Sequence, residues 1–115
     1  MSEVWNRQYR ERLVSADEAV KIVKSGDVIF IGEFAQIVDS LDEALAKRKE
    51  ELSDVYLVTT TRIKPLKCVD ADPERKSFIW EDWHFSGTAR QYSDKGLANY
   101  IPFTFHQGPR VVLKY

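Results

Sequence analysis

His84 stands between two aromatic residues, Trp83 and Phe85, and directly precedes Ser86-Gly87-Thr88. An imidazole titrates near neutral pH, so at a pocket wall it can take or give a proton. The amides of Ser86, Gly87 and Thr88, where they open a helix, can hold a carboxylate or a phosphate. Each feature has an ordinary structural counterpart. A histidine at a strand end can simply have its ring nitrogens satisfied, and a serine before a helix can serve as its N-cap. Asp82, His84 and Ser86 are too close along the chain to converge on one proton relay, so no nucleophilic triad is expected from them. The second group of interest is the turn Gly32-Glu33-Phe34-Ala35-Gln36, which follows the apolar run Val28-Ile29-Phe30-Ile31. Open α/β sheets bind ligands outside the C-terminal ends of their strands, which makes this turn a candidate substrate-side loop; the alternative is a plain strand-to-helix turn. One glycine falls far short of G-x-G-x-x-G, so a dinucleotide site is not expected. Cys68 and His106 have no partner at metal-ligand spacing and read as structural. No metal ligand is assigned.

Composition narrows the class of partner. The chain has 115 residues, 17 basic and 18 acidic, with a formal net charge of -1. Duplex-binding domains carry a basic excess or stripe, so nucleic acid is not expected. No apolar run approaches the ~20 residues of a membrane span, and the polar start Met-Ser-Glu-Val-Trp-Asn-Arg lacks the apolar core of a secretory signal. A single cysteine excludes an internal disulfide and a thiol-built zinc cluster. These features suit a cytoplasmic protein of one domain, with no second independent core.

Helix and strand signals alternate along the chain. Trp5, Tyr9 and Leu13 recur four apart and fit a short helix laid along a partner surface. Ser15-Ala16-Asp17-Glu18 has the form of a capping box, with an apolar face at Ala19, Val20, Ile22 and Val23, and Gly26 placed to end the helix. Val28 to Ile31 is an unbroken run of the kind found in strands of a parallel sheet covered on both faces. A second S-x-x-E box, Ser40 to Glu43, predicts a helix start, with Leu41, Ala44, Leu45 and Leu52 inward and residues 47–51 facing water. Val55 to Thr59 predicts a second strand. The connection from there to Ser77 is long for a strand–helix loop and is therefore functional, mobile or partly helical. Ser77 to Trp80 predicts a third strand, and Ala89 to Lys95 a helix ended by Gly96. Tyr100 to Phe105 reads as extended, Gly108-Pro109 as a break and Val111 to Leu113 as a last apolar strand. The aromatic cluster around Phe78, Trp80, Trp83 and Phe85 reads as core or subunit contact. The pattern predicts an α/β fold, a three-layer, largely parallel sheet with helices on both faces.

Several stretches, taken in order, resemble the N-terminal domain of the acetyl-CoA hydrolase/CoA-transferase family, especially its 4-hydroxybutyrate and butyryl-CoA:acetate CoA-transferase branch. They are Trp5 and Tyr9 with residues 12–20, Ile22 to Gly32, the helix from Leu41 to Leu52, Phe85-Ser86-Gly87-Thr88-Ala89-Arg90, residues 96–102, and Pro109-Arg110. The resemblance covers nearly the whole chain. It implies an enzyme that moves coenzyme A between carboxylic acids, with the CoA thioester as substrate and no tightly bound cofactor. In that family a glutamate carboxylate attacks the acyl-CoA thioester and ends as a glutamyl-CoA thioester, a covalent route that divides one hard exchange into two easier ones. Family members are several-fold longer, and the catalytic glutamate lies in the part absent here. No glutamate of this chain matches it, and no catalytic residue is assigned. After Gly32 the family usually has further glycine and a proline, where this chain has Glu33 to Asp39. The resemblance thus implies an N-terminal portion, inactive alone, that shapes a site through Gly32, Glu33, Phe34, Ala35, Gln36, His84, Ser86 and Gly87. Its partners would be acyl-CoA, short-chain carboxylates, and either a second copy of itself or the missing C-terminal half. The alternative is a non-catalytic remnant acting as a binding or oligomerisation module.

Overall fold

Four short β-rich runs become the strands of one sheet. In the computed structural model, which describes residues 3–102 and 104–114, they are β1 (Val28–Glu33), β2 (Val55–Thr60), β3 (Phe78–Asp82) and β4 (Ala98–Tyr100). They lie in the order β1-β2-β3-β4 and every neighbouring pair is parallel. The helices are α1 (Glu3–Arg12), α2 (Ala16–Ala19), α3 (Asp39–Ala46), α4 (Lys67–Ala71), α5 (Gly87–Asp94) and α6 (Gly108–Val112). A 3-10 turn, Val20–Ile22, continues α2, and another, Phe105–Gln107, precedes α6. The parallel α/β sheet expected from the alternating pattern is the observed architecture.

The register assigns the faces. Ile29, Leu57, Trp80 and Ala98 stand side by side across the sheet, and successive residues of a strand alternate sides. With Ile31, Val55 and Phe78 they form the sheet's share of the core. Helices supply the rest: Val20 after α2, Ala44 and Leu45 of α3, Cys68 and Val69 of α4, and Ala89 of α5. Leu57 and Trp80 are fully buried, and the Trp80 ring meets the Tyr92 ring edge-on at 5.4 Å.

Several expected boundaries moved, each for a local reason. Val111 to Leu113 is not a strand: Val111 and Val112 belong to α6, whose first turn accommodates Pro109 because a helix start needs no amide there. The extended run expected from Tyr100 ends at Tyr100 itself, and Thr104 then opens the second 3-10 turn, its amide donating to Gln107 Oε1 at 3.1 Å. Phe103 lies outside the described residues. Ser40 is not an N-cap. Helix α3 begins one residue earlier, with Val38 in the cap position, and Asp42 turns into the protein instead of toward the helix start. Arg48, expected in water, is half-buried and donates to the carbonyls of both Val20 and Val23. Strand β1 forms one edge of the sheet, with Val28 40% and Phe30 48% exposed, so this run is not covered on both faces within the chain. The long connection after β2 contains α4.

Candidate functional site at the C-terminal edge of the sheet

Parallel strands put all their C-terminal ends at one side of the sheet. The end of β1 and the turn after it carry Gly32 to Gln36, the segment after β2 carries Thr61 to Leu66, and the segment after β3 carries His84 to Gly87. The sequence-predicted residues therefore share one edge, as two groups flanking the β2 segment. That middle segment binds both. The amide of Phe34 donates to Thr60 O at 3.0 Å, and the amide of Thr61 donates to His84 O at 3.0 Å. Thr61 Oγ1 and His84 Nδ1 form a hydrogen-bonded pair at 2.8 Å. Ser86 donates its hydroxyl to Arg62 O, and Thr88 Oγ1 donates to Ile63 O at 3.2 Å.

The first turn is held by geometry that glycine alone meets easily. Gly32 has φ +87°, and a Cβ there would stand 2.9 Å from Gln36 O. The Gln36 amide closes the turn on Glu33 O at 2.8 Å. Phe34 also has a positive φ, 47°, with its side chain 54% exposed. A bulky L-residue in that region is strained, and such strain concentrates at ligand clamps and active sites. Thr61, one strand over, shares the feature with φ 51°.

The second group is more tightly anchored. Ser86 is the N-cap of α5, accepting the Ala89 amide at 3.1 Å while its own hydrogen goes to Arg62 O. Its hydrogen is committed to a backbone carbonyl and not to a general base, which is the bonding of a cap. His84 is exposed, with one ring nitrogen engaged by Thr61. Gly87 is exposed at the first position of α5.

Beneath these loops lies a buried network that sequence reasoning missed. Asp82, fully buried, accepts the Thr59 hydroxyl at 2.9 Å, the Thr61 amide at 3.2 Å and the His84 amide at 2.8 Å. Trp80 Nε1 donates to Thr59 Oγ1 at 2.7 Å, extending the chain into the core. One carboxylate thus ties the ends of β2 and β3 together and fixes the backbone that carries the Thr61–His84 pair. Arg62 is also buried: its Nε donates to Lys64 O at 3.1 Å and its Nη2 lies 3.7 Å from Asp42 Oδ2. Among the described residues both Nη atoms lack a hydrogen-bond partner. The only sequence signal for this layer was the polar run Thr59-Thr60-Thr61-Arg62 at the end of an apolar strand.

The edge presents amides, hydroxyls and an imidazole, groups that bind and orient a carboxylate or carbonyl. The cysteine offers no attacking group: Cys68 is buried against Asp42, and burial, then the nearby carboxylate, pushes its thiol well above the ordinary range. No group of three or more metal-ligating side chains occurs among the described residues. Nor is any of their helices long and apolar enough to cross a membrane. Two concavities lie away from this edge. One of about 440 Å³ lies against Trp5, Tyr9 and Leu13, and an apolar one of about 220 Å³ lies between the α2 turn, β1 and α3.

Comparison with known proteins agrees with this architecture. The chain is 41% identical over 107 residues to a probable butyrate:acetyl-CoA coenzyme A-transferase of Syntrophomonas wolfei, covering 93% of this chain and 24% of that protein. It is 33% identical over 111 residues to a butyryl-CoA:acetate CoA-transferase of Anaerostipes caccae, covering 96% and 25%. The crystal structure of RipA from Yersinia pestis superposes with a TM-score of 0.71 at 24% identity, over 92% of this chain and 27% of that one. At that identity the superposition speaks for the fold. The chain spans about a quarter of the length of each of these relatives. Residues 2–115 match the acetyl-CoA hydrolase/transferase N-terminal domain, and the chain belongs to that family.

Proposed function

We propose that this chain forms the N-terminal portion of an enzyme that transfers coenzyme A between an acyl-CoA and a short-chain carboxylate. The observation that carries the reading is its full-length match to the first quarter or so of acyl-CoA:carboxylate CoA-transferases. The placement of its candidate residues on one sheet edge supports it. In this reading Gly32 to Gln36 and His84 to Gly87 line the carboxylate side of the pocket. Amide and hydroxyl donors hold the acid, and the Asp82 network keeps their positions fixed, so little reorganisation is needed when charge develops. The covalent step belongs to a glutamate outside these 115 residues, which attacks the acyl-CoA thioester to give an acyl-glutamyl anhydride and CoA thiolate. The thiolate then attacks the glutamyl carbonyl, leaving a glutamyl-CoA thioester and releasing the first carboxylate. The isolated chain is then inactive.

Two measurements test this. Acyl-CoA:acetate exchange by the purified chain is expected to be indistinguishable from buffer, and steady turnover would overturn the assignment of the nucleophile elsewhere. Titration with butyrate or butyryl-CoA is expected to shift the amide resonances of Gly32 to Gln36 and His84 to Gly87. Saturable binding that leaves those signals still would remove the proposed site.

A further inference from the structure

The two faces of the sheet are unequally covered. On the core face Val55, Leu57 and Trp80 are fully buried and Phe78 is 1% exposed, beneath α3, α4, α5 and the α2 turn. The register places Val28, Tyr56 and Ile79 side by side on the opposite face, followed by Phe30, Val58, Glu81 and Asn99. Val58 at the centre is buried at 3%, but the flanking positions are more open: Val28 and Phe30 are 40% and 48% exposed, and Tyr56, Ile79 and Glu81 are partly exposed. The Phe30 and Trp83 rings meet at 5.5 Å, making an aromatic pair on this side of the sheet. Helices α1 and α6 bury no residue. A parallel sheet is ordinarily covered on both faces, because its strands are apolar on both.

We propose that this second face is the docking surface for the remainder of a family-length polypeptide, which lays an apolar helical layer across it. The inference rests on the reading above, that this chain corresponds to one portion of a longer enzyme. Its matched region makes up 24% and 25% of two of its relatives, so three-quarters of each relative lies outside the match. The chemistry of the face agrees with a protein layer. Glu81 is the one side chain charged at neutral pH among the strand positions named, whereas a nucleic acid or an anionic lipid surface would require basic ones. Glu81 is the polar group that such a layer would have to meet: it is partly buried, and desolvation already raises its carboxyl above its ordinary value. A covering helix with apolar side chains and one donor would suit it.

The test is co-expression of this chain, tagged, with the region of the Syntrophomonas wolfei relative that lies outside the match. Capture on the tag and hydroxyl-radical footprinting of Phe30, Tyr56 and Trp83 are the readouts. Expected are a stable complex, strong protection of those three rings relative to the isolated chain, and loss of about ten-fold or more of the captured partner in Phe30→Glu and Ile79→Lys. Lys47→Ala, exposed at the end of α3 on the other side of the sheet, is expected to leave capture unchanged. Circular dichroism of each isolated variant confirms that the sheet persists; Phe30 is exposed enough for its variant to fold. A complex that forms with unchanged footprints, or that tolerates both substitutions, would sink the docking surface while leaving the proposed function standing. Protection of the same rings by self-association of the chain alone would also overturn it, in favour of a second copy. No complex under any condition would overturn the proposed function and the docking surface together.

Discussion

Asp72 accepts three backbone amides at once: Ser77 at 2.6 Å, Phe78 at 2.9 Å and Lys76 at 3.2 Å. Burial opposes its ionisation, but the three amides and then Lys49 outweigh burial and hold its carboxyl below the usual range. A carboxyl with a lowered folded-state pKa binds fewer protons folded than unfolded. Its contribution to stability is therefore present above the unfolded pKa of about 3.9 and is lost as pH falls through the lower folded value. Asp72→Asn should cost roughly 2 kcal/mol at pH 7, with the gap from wild type closing as urea melts are taken below about pH 4. A gap that stays constant to pH 2 would show that charge is not the cause. Gly32 makes a different demand, since its φ of +87° is joined to a close approach by Gln36 O. Gly32→Ala should destabilise by about 2 kcal/mol, the left-handed cost plus displacement of the turn. An unchanged denaturation midpoint would contradict the crowding. Roles of this kind divide by range. Gly96 and the Ser86 cap were legible because their partners lie within a few residues. Gly26 was misread: the helix before it ends at Ile22 with Val23 extended, and the Gly26 amide goes to Ser53 O. Asp82 and Asp42 were not, because what they hold sits on other elements.

Helix α4 shows how an element is fixed from outside itself. Its N-cap, Leu66, offers no side-chain bond; Asp42 of α3 supplies it, accepting the Lys67 amide at 2.8 Å and the Cys68 amide at 3.1 Å. The same carboxylate faces the buried Arg62 guanidinium, so one side chain joins α3, α4 and the loop after β2. Removing it strands a buried cation. Asp42→Leu should therefore cost about 3–5 kcal/mol, while the double change Asp42→Leu with Arg62→Met should recover a substantial part, because no unpaired charge is left. If the double variant is as unstable as the sum of the singles, the pair carries no coupling of that kind. This also explains why the second S-x-x-E box misled. Ser40 to Glu43 has the local pattern of a cap, but Ser40 lies inside α3 and Glu43 pairs with Lys67 of α4 instead of reaching back to the helix start. Val111 and Val112 misled in the same way. Their β-branched side chains suggest a strand, yet no described residue beyond β4 joins the sheet and Pro109 starts a helix.

Stability should be distributed across the molecule as unevenly as burial is. Strands β2 and β3 are central, carry the fully buried Val55, Leu57, Thr59, Trp80 and Asp82, and are bonded on both edges. At the other extreme α1 has ten residues, none of them buried, with Trp5 62% and Tyr9 66% exposed. An isolated helix of that length is marginal in water, since nucleation is costly and no buried face anchors it. The alternation of strand and helix was legible because it is written as local hydrophobic period. Which strand lies at the edge, and which face stays bare, depends on contacts that no local period encodes. Native-state hydrogen exchange on the isolated chain should therefore find the slowest amides in β2 and β3, opening only with global unfolding. The amides of α1 and α6 should exchange near the rate of an unfolded peptide. Deleting α1 should leave the denaturation midpoint almost unchanged, because none of its residues belongs to the core cluster. Strong protection throughout α1 would mean that its aromatic stripe is covered in solution, and the deletion would then lower the midpoint in step.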